Sequence, residues 1–345
     1  MPRLRRSDQS RPGITRIRRG RGFQYLDPFG QPLDDGETLA RIRSLVIPPA
    51  WADVWICPYP NGHIQAIGYD VAGRKQYLYH PQWRTMRDQL KFRHMIEFAH
   101  CLPDLRRQTR QCLMAPDMSR ERVLAAAARM LDRGAFRLGS EQYASGKNAT
   151  FGIATILKSH VRLGPDHTIT FDFVAKHQQR QIHTIVDPDI YEILHKLKRR
   201  RTGTELLAYK VDGRWVDVKS ADINLFLKQV TGADFTAKDF RTWTATVLAA
   251  VELATRPDAR TATARKREAA AAVKAVAAAI GNTPAVCRSS YIYPRIIDDY
   301  LAGTTIASAL EELDRDKLGE WEFREAVDAA VLSLIEGEQV RRKVA

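Results

Sequence analysis

The spacing of apolar residues changes once along this chain, and the change limits the folds open to it. Between residues 22 and 84, short apolar runs are separated by Gly, Pro and Asn, a pattern typical of a small antiparallel sheet. From about residue 86, apolar residues recur at the three- and four-residue spacing of amphipathic helices. The sequence therefore predicts an α+β protein, with a small antiparallel β-sheet domain followed by a larger, mainly α domain.

Several predicted helices have recognisable ends. Ser119 and Ser220 are placed to cap helices, because a serine hydroxyl can accept a bond from a free amide of the first turn. Thr236, with Asp239 three residues later, is close to a capping box. The alanine-rich residues 263–280 predict a further helix, which the following glycine ends.

The helical region also contains strand signals. Residues 168–173 alternate apolar and polar side chains, residues 176–180 are polar and turn-like, and residues 181–186 predict a second strand. Another hairpin is expected to turn at Asp212 and Gly213. We therefore expect β-hairpins within the mainly α domain.

Composition divides the chain into three parts. Residues 1–21 contain eight arginines and little apolar bulk, which predicts a disordered basic tail. We expect the β-rich domain at residues 22–90 and the mainly α domain at residues 91–345, with the boundary near residues 84–92.

The charge of the chain suggests its partner. There are 54 Lys and Arg against 40 Asp and Glu, giving a net charge of +14. Such a surplus attracts polyanions over long range, of which nucleic acid is the commonest and an anionic membrane the next. A basic soluble protein with no such partner stays open on charge alone.

Several common sites are missing from the sequence. It has no GxxxxGK[ST] loop for ATP, no HExxH zinc motif and no EF-hand loop. Its cysteines form no CxxC pair, so we expect reduced thiols in a cytoplasmic protein and no zinc site. No run of about 18 apolar residues predicts a membrane span, and the basic N-terminus lacks the apolar core of a secretory signal. The four cysteines are Cys57, Cys101, Cys112 and Cys287.

Strand transfer on nucleic acid without a metal requires a particular set of side chains. A Tyr or Ser must form a covalent intermediate that stores the bond energy. Two arginines suit the charged phosphate oxygens, because the planar guanidinium matches phosphate geometry. A Lys or His must protonate the departing 5′ oxygen. Such residues meet only in the fold, so composition and spacing alone do not identify them.

Six short segments identify them by resemblance. Their order and spacing are similar to those of the type IB DNA topoisomerases, in the poxvirus-like form found in bacteria. The resemblance covers about residues 16–300, and it implies a tyrosine-recombinase-like catalytic fold. The segments are IPPAW at 47–51, KQYLYH at 75–80, FRLG at 136–139, FVAK at 173–176, KDFRTW at 238–243, and GNTP at 281–284 leading to SSY at 289–291.

The resemblance implies five catalytic residues. Tyr291 resembles the nucleophile that becomes a 3′-phosphotyrosine, and Arg137 and Arg241 resemble the two clamps on the transition state. Lys176 resembles the general acid on a hairpin loop, and the predicted turn at 176–180 agrees with that place. Asn282 stands where many relatives have histidine. An amide can donate a hydrogen bond to a phosphate oxygen but brings no charge, so we expect a supporting role there.

The resemblance also implies DNA contacts. Gln76, Tyr77 and Tyr79 resemble residues of the N-terminal, DNA-binding domain that touch bases and backbone in the major groove. Tyr143 resembles a tyrosine that contacts the backbone, and Lys238 resembles a lysine near the scissile phosphate.

Two other functions were weighed against this one. A tyrosine recombinase shares the chemistry, but it usually has His-x-x-Arg at the second arginine, where this chain has Lys238 to Arg241. A DNA-binding protein without catalysis would require one of the catalytic residues to be misplaced. The resemblance favours a monomeric clamp on double-stranded DNA that relaxes supercoils without ATP, metal or membrane, in the cytoplasm with the nucleoid.

Overall fold

The computed structural model describes residues 3–257, 259, 261–313 and 320–344, with side chains described up to residue 337. The chain divides into two compact units, Met1–Phe92 and Arg93–Ala345. The α+β prediction is confirmed.

The first unit is built on one antiparallel sheet of five strands in the order β2-β1-β3-β4-β5. Its elements are β1 (Ile14–Arg19), β2 (Gly22–Leu26), α1 (Gly36–Ser44), β3 (Ala52–Ile56), β4 (Ile64–Tyr69) and β5 (Lys75–Tyr79). A core of Ile14, Ile42, Val54, Ile56 and Ala66 joins helix α1 to the sheet.

Two features of this unit differ from the sequence prediction. Strand β1 lies within the segment that was expected to be a disordered tail. Its first residue, Ile14, is buried, and the guanidinium of Arg16 donates to three carbonyls, those of Ile47, Pro48 and Trp51. Arginine-rich sequence therefore hides a paired strand here, because the strand is defined by its pairing with β2 and β3 and not by a run of apolar residues.

Helix α1 was also missed. Asp35 caps it by accepting a bond from the Thr38 amide at 2.8 Å, and Ile42 turns into the core. The helix is only nine residues long, so few apolar positions mark its period, and the glycines and prolines on either side favoured turns.

The second unit is mainly helical. Helix α2 (Pro81–Leu113) crosses the division between the units, and its part from Arg93 onward belongs to the second. Then follow α3 (Arg120–Gly134), α4 (Pro188–Lys198), α5 (Ser220–Thr231), α6 (Ala237–Ala254), α7 (Ala262–Ala279), α8 (Pro284–Ser290), α9 (Pro294–Ala302), α10 (Ala307–Glu312) and α11 (Glu320–Val344).

Two small sheets interrupt these helices. Strands β6 (Val161–Leu163), β7 (Thr168–Ala175) and β8 (Gln179–Val186) form an antiparallel sheet in that order. Strands β9 (Ala208–Val211) and β10 (Arg214–Asp217) form the second hairpin, with its turn at Asp212 and Gly213 as predicted. The predicted hairpin around residue 176 is likewise confirmed.

The helix ends test the capping predictions. Ser119 and Thr236 are confirmed as caps of α3 and α6, and Asp239 completes the capping box. The prediction for Ser220 was wrong by one residue. Lys219 is the cap of α5, because its amide donates to Asp222, while Ser220 is the first helical residue and donates to Glu141.

In the part of the chain that the structure describes, no single helix has the length and hydropathy of a membrane span. Helices α7 and α8 meet the length and hydropathy criteria only when they are taken together, and the break between them bends the pair by 95°.

Candidate active site

Helix α6 carries the first half of the site. Its capping box fixes the first turn, since the Thr236 amide donates to Asp239 at 2.8 Å. Arg241 follows in the second turn and is only 5% exposed. Its guanidinium donates to the carbonyl of Ala135 and, at 2.7 Å, to the carbonyl of Ile280. A capped helix and two carbonyls therefore fix the direction of this cation.

The second arginine is held in a similar way. Arg137 follows the C-terminus of α3 and is half-buried. Its Nη2 donates to the carbonyl of Gly281 at 2.6 Å and to Oδ1 of Asn282 at 2.7 Å. Asn282 was expected to support the site by donating to a phosphate oxygen, which stays a prediction; in the structure its Oδ1 accepts from Arg137.

The break between α7 and α8 supplies these acceptors. Gly281 has φ +63°, which a side chain rarely adopts, and a Cβ there would come within 2.8 Å of the Gln181 side chain. The chain leaves the helix at this glycine, so the carbonyls of Ile280 and Gly281 become available to Arg241 and Arg137. One interruption of the helix therefore orients both guanidinium groups.

Tyr291 lies at the C-terminus of the short helix α8. Its amide donates to the Cys287 carbonyl at 3.0 Å, and its carbonyl accepts from the Thr246 hydroxyl at 3.2 Å. Thr246 is fully buried on α6, the helix that carries Arg241. The Tyr291 ring centroid is 5.4 Å from Cζ of Arg241. Helix α6 thus positions the tyrosine as well as the arginine.

These side chains line one open cleft of about 280 Å³, which we call the arginine cleft. It brings together three of the predicted catalytic residues and Lys238. Its lining consists of Arg137, Leu138, Asn224, Thr236, Ala237, Lys238, Arg241 and Tyr291.

The electrostatics of the arginine cleft favour an anion. Burial, with a smaller effect of the nearby Arg137 charge, lowers the pKa of Arg241 to about 10, against the opposing effect of Tyr291. Burial also lowers the pKa of Arg137. Arg241 is still a cation at neutral pH. Among the described residues, no carboxylate forms an ion pair with either arginine, so a phosphate would relieve the repulsion between two like charges.

Two buried groups behind the cleft also have shifted pKa values. Burial, with a smaller effect of the Arg241 charge, lowers the pKa of His183 to about 4. Burial raises the pKa of the Cys287 thiol to about 11, against the opposing effect of Arg241. Neither group is charged at neutral pH, so the arginine charges face a neutral interior. Across the described ranges, no three His, Cys, Asp or Glu side chains converge to hold a metal.

Lys176 is placed differently from the other predicted catalytic residues. It is exposed at the tip of the β7–β8 hairpin and is absent from the described lining of the cleft. The next two residues, His177 and Gln178, have φ of 65° and 55°. Below the tip, Asp172 accepts two bonds from Arg180, both 2.7 Å long. At the tip itself, the Gln178 side chain donates to the carbonyl of Asn148 at 2.9 Å, while Lys176 stays exposed.

The predicted DNA contacts of the second unit are both exposed. Lys238 is exposed and lines the arginine cleft. Tyr143 lies on a one-turn 3-10 helix, with its side chain 60% exposed. Glu141, two residues earlier, accepts bonds from the amide and hydroxyl of Ser220 and so ties this loop to α5.

The predicted DNA contacts of the first unit lie on the edge strand β5. Tyr77 and Tyr79 share a face of the strand, with ring centroids 6.0 Å apart, and Lys75 lies 5.8 Å from the Tyr77 ring. Gln76 lies on the opposite face, where its amide donates to Asp70 at 2.9 Å. The structure therefore separates Gln76 from the two tyrosines.

Sequence reasoning missed two residues of the site. Asn224 of α5 lines the arginine cleft. Its Oδ1 accepts a bond from the Ala237 amide at 3.2 Å, so its NH₂ group points away from that amide. Thr246 supports the tyrosine. A single amide or hydroxyl on an amphipathic helix carries no sequence signal. The only available sign was that Thr246 lies five residues after Arg241, on the same predicted helix.

Comparison with known proteins identifies the family. Residues 80–314 match the family described as eukaryotic DNA topoisomerase I, catalytic core, and residues 22–70 match bacterial DNA topoisomerase IB, N-terminal domain. The chain is also 32% identical over 296 residues to "DNA topoisomerase 1B" of Acanthamoeba polyphaga mimivirus, covering 84% of this chain and 87% of that protein. The resemblance drawn from the six segments is confirmed, and the chain belongs to the type IB DNA topoisomerase family of enzymes.

Proposed function

We propose that this enzyme relaxes supercoiled duplex DNA by cutting and resealing one strand through a covalent bond to Tyr291, with no need for ATP or metal. The observation that carries the proposal is the arginine cleft. It gathers a tyrosine and two arginines whose other partners are neutral, which is the arrangement that an in-line attack on a phosphodiester requires.

The strand is cut in one displacement. The Tyr291 hydroxyl oxygen bonds to phosphorus as the bond from phosphorus to the 5′ oxygen breaks, and the phenol proton passes to water. Arg137 and Arg241 stabilise the charge on the phosphate oxygens. Lys176 gives a proton to the 5′ oxygen, which leaves as a hydroxyl. Since Lys176 is exposed on its hairpin, the hairpin tip is proposed to approach the cleft when DNA is bound.

Resealing reverses these steps. Between the two, the cut strand turns about the intact one and supercoil strain is released. One phosphodiester is exchanged for one phosphotyrosine of similar energy, so no nucleotide is consumed. We propose that the enzyme acts as a monomeric clamp in the cytoplasm, with Tyr77, Tyr79, Gln76, Tyr143 and Lys238 as DNA contacts, and that binding weakens steeply with salt.

Relaxation of a negatively supercoiled plasmid in EDTA without ATP tests the proposal. The wild type and Tyr293→Phe should relax the plasmid, whereas Tyr291→Phe should not. Denaturation with detergent during the reaction should trap the wild type on the 3′ end of the cut strand. Relaxation or trapping by Tyr291→Phe would show that another residue is the nucleophile.

A further inference from the structure

A cluster of buried charges lies beside the segments that carry both arginines. Nε and Nη2 of Arg106, on α2, donate to the two carboxylate oxygens of Asp132, on α3, each at 3.0 Å. Both residues are 5% exposed. Burial acts to raise the pKa of Asp132, but the charges of Arg106 and Arg324 outweigh it and hold that pKa below its usual value. Asp132 is therefore a buried carboxylate that depends on its cations.

Helix α11 supplies the rest of the cluster. Asp328 lies 2.8 Å from Nη1 of Arg106, so one guanidinium is shared between two carboxylates. Arg324, one turn earlier on α11, donates to the main-chain carbonyl of Asp132 at 2.8 Å. We call Arg106, Asp132, Arg324 and Asp328 the α11 anchor. Through it, α11 is bonded to the C-terminal turn of α3.

The α11 anchor also reaches helix α6. Nε1 of Trp243 donates to Oδ1 of Asp328 at 2.9 Å, and Trp243 is two residues from Arg241. On the other side, α3 ends at Gly134, the carbonyl of Ala135 accepts a bond from Arg241, and Arg137 follows two residues later. One carboxylate of α11 is thus bonded directly to α6, and it is linked to the end of α3 through Arg106 and Asp132.

We propose that Asp328 is a positioning residue for DNA cleavage, which acts by keeping the end of α3 and the start of α6 at the spacing that aims Arg137 and Arg241 at one phosphate. This inference rests on the proposed function. Asp328 is not among the described residues that line the arginine cleft. Its effect passes through Arg106 and Asp132 to Arg137, and through Trp243 to Arg241.

The position of the arginines affects the transition state for cutting and resealing alike. Loss of their alignment should therefore slow both steps by the same factor and leave the ratio of cut to intact DNA unchanged. DNA affinity depends on many other contacts and should change little. Loss of a residue that only stabilises the fold would lower the melting temperature but would not slow cutting and resealing of the folded enzyme by the same factor.

The experiment compares three variants of the full chain in single-turnover cutting and resealing of an oligonucleotide duplex, at a temperature where circular dichroism shows each to be folded. Asp328→Ala removes both bonds. Asp328→Asn keeps the oxygen that accepts from Trp243 but removes the charge opposite Arg106. Glu336→Gln is the matched control, since Glu336 joins α11 to His100 at 2.7 Å outside the α11 anchor.

Both rates should fall together by about 10- to 100-fold in Asp328→Ala, as expected for a small misplacement of catalytic groups. Asp328→Asn should show a smaller fall in both rates, and Glu336→Gln should match the wild type. Affinity for DNA should stay unchanged in all three. If Asp328→Ala does not fold, Asp328→Asn decides the matter in the same way.

Unchanged rates in a folded Asp328 variant would overturn the inference, as would equal losses in Glu336→Gln or a fall in only one of the two rates. Failure of the wild type to cut DNA would instead refute the proposed function, so the two failures are distinguishable.

Discussion

The arginine pair and the hairpin lysine are expected to act on the same phosphodiester, yet the structure holds them in opposite ways. Arg241 is buried and bonded to two carbonyls, and Arg137 is half-buried and bonded to a carbonyl and an amide. Lys176 is exposed at a hairpin tip. The groups proposed to stabilise charge are thus fixed before DNA arrives, whereas the group proposed to move a proton is exposed on a hairpin.

This difference has a physical reason. Stabilising a transition state by charge is most effective when the cations need no rearrangement. A proton donor has to reach the leaving oxygen and be reloaded from water, so exposure suits it. The following predictions test the contrast, starting with the largest effect.

Replacing Arg241 should have the largest effect. Arg241→Ala should slow DNA cutting by at least about 10³-fold, as loss of a catalytic arginine does in phosphoryl transfer. Arg241→Lys should recover little, because an ammonium cannot bond both carbonyls and still face the phosphate in a planar fork. Single-turnover cutting measures this, and Arg256→Lys, just beyond the C-terminus of α6, serves as control. Near-complete recovery by lysine would mean that fixed geometry matters less than charge.

Acid should destabilise the folded protein through His183, which lies close to the buried Arg241. The pKa of His183 is about 4 in the folded protein and 6.5 in the unfolded chain. Below pH 6.5 the unfolded chain therefore binds a proton that the folded protein does not bind. Stability should fall as pH drops from 6.5 to 4, by about 3 kcal/mol from this group. Urea unfolding should show a flatter pH dependence for His183→Gln than for the wild type or for the exposed control His195→Gln. Equal slopes would contradict burial of a neutral imidazole.

Replacing Lys176 should affect proton transfer alone. Lys176→Ala should slow cutting by about 10²-fold, and the loss should vanish on DNA whose 5′ bridging oxygen is replaced by sulfur. A thiolate leaves without protonation, since thiols ionise near pKa 8.5. Lys238→Ala, the matched control, should keep its defect on the sulfur substrate. A persistent defect of Lys176→Ala on that substrate would assign the lysine to phosphate binding instead.

Asn224 should have the smallest effect of the four. Asn224→Ala should slow cutting by about 10-fold, the size expected for one neutral hydrogen bond to a phosphate oxygen. Asn224→Asp should be worse than alanine, because a carboxylate in the arginine cleft would pair with the arginines and repel the phosphate. Parallel single-turnover assays test this order, and a fully active Asn224→Asp would remove Asn224 from the site.

The sequence predicted those parts of the fold that depend on neighbouring residues. The capping box at Thr236 and Asp239 and the turn at Asp212 and Gly213 are local chemistry, so they could be found without a structure. Helix α1 and strand β1 could not, because a short helix and an arginine-rich strand are defined by what they pack against.

The site was less accessible to sequence reasoning. Family resemblance brought Tyr291 and the two arginines together, but it could not show which atoms hold them. The carbonyls of Ile280 and Gly281 have no side-chain signature, and Asn224 is one amide on an ordinary helix. One detail was accessible but overlooked. Side chains alternate along β5, so the sequence already implies that Gln76 and Tyr77 face opposite sides of the strand.

The hydrogen-bond partners of the two arginines in the resting protein also affect which substrates the cleft can accept. Because these partners are peptide carbonyls and an amide, within the described residues no carboxylate has to be expelled when a phosphate enters or to return when it departs. We therefore expect the cleft to accept a phosphodiester whatever base lies beside it. Preference for a long duplex over a short fragment must arise outside the cleft, from the number of phosphates bound at once.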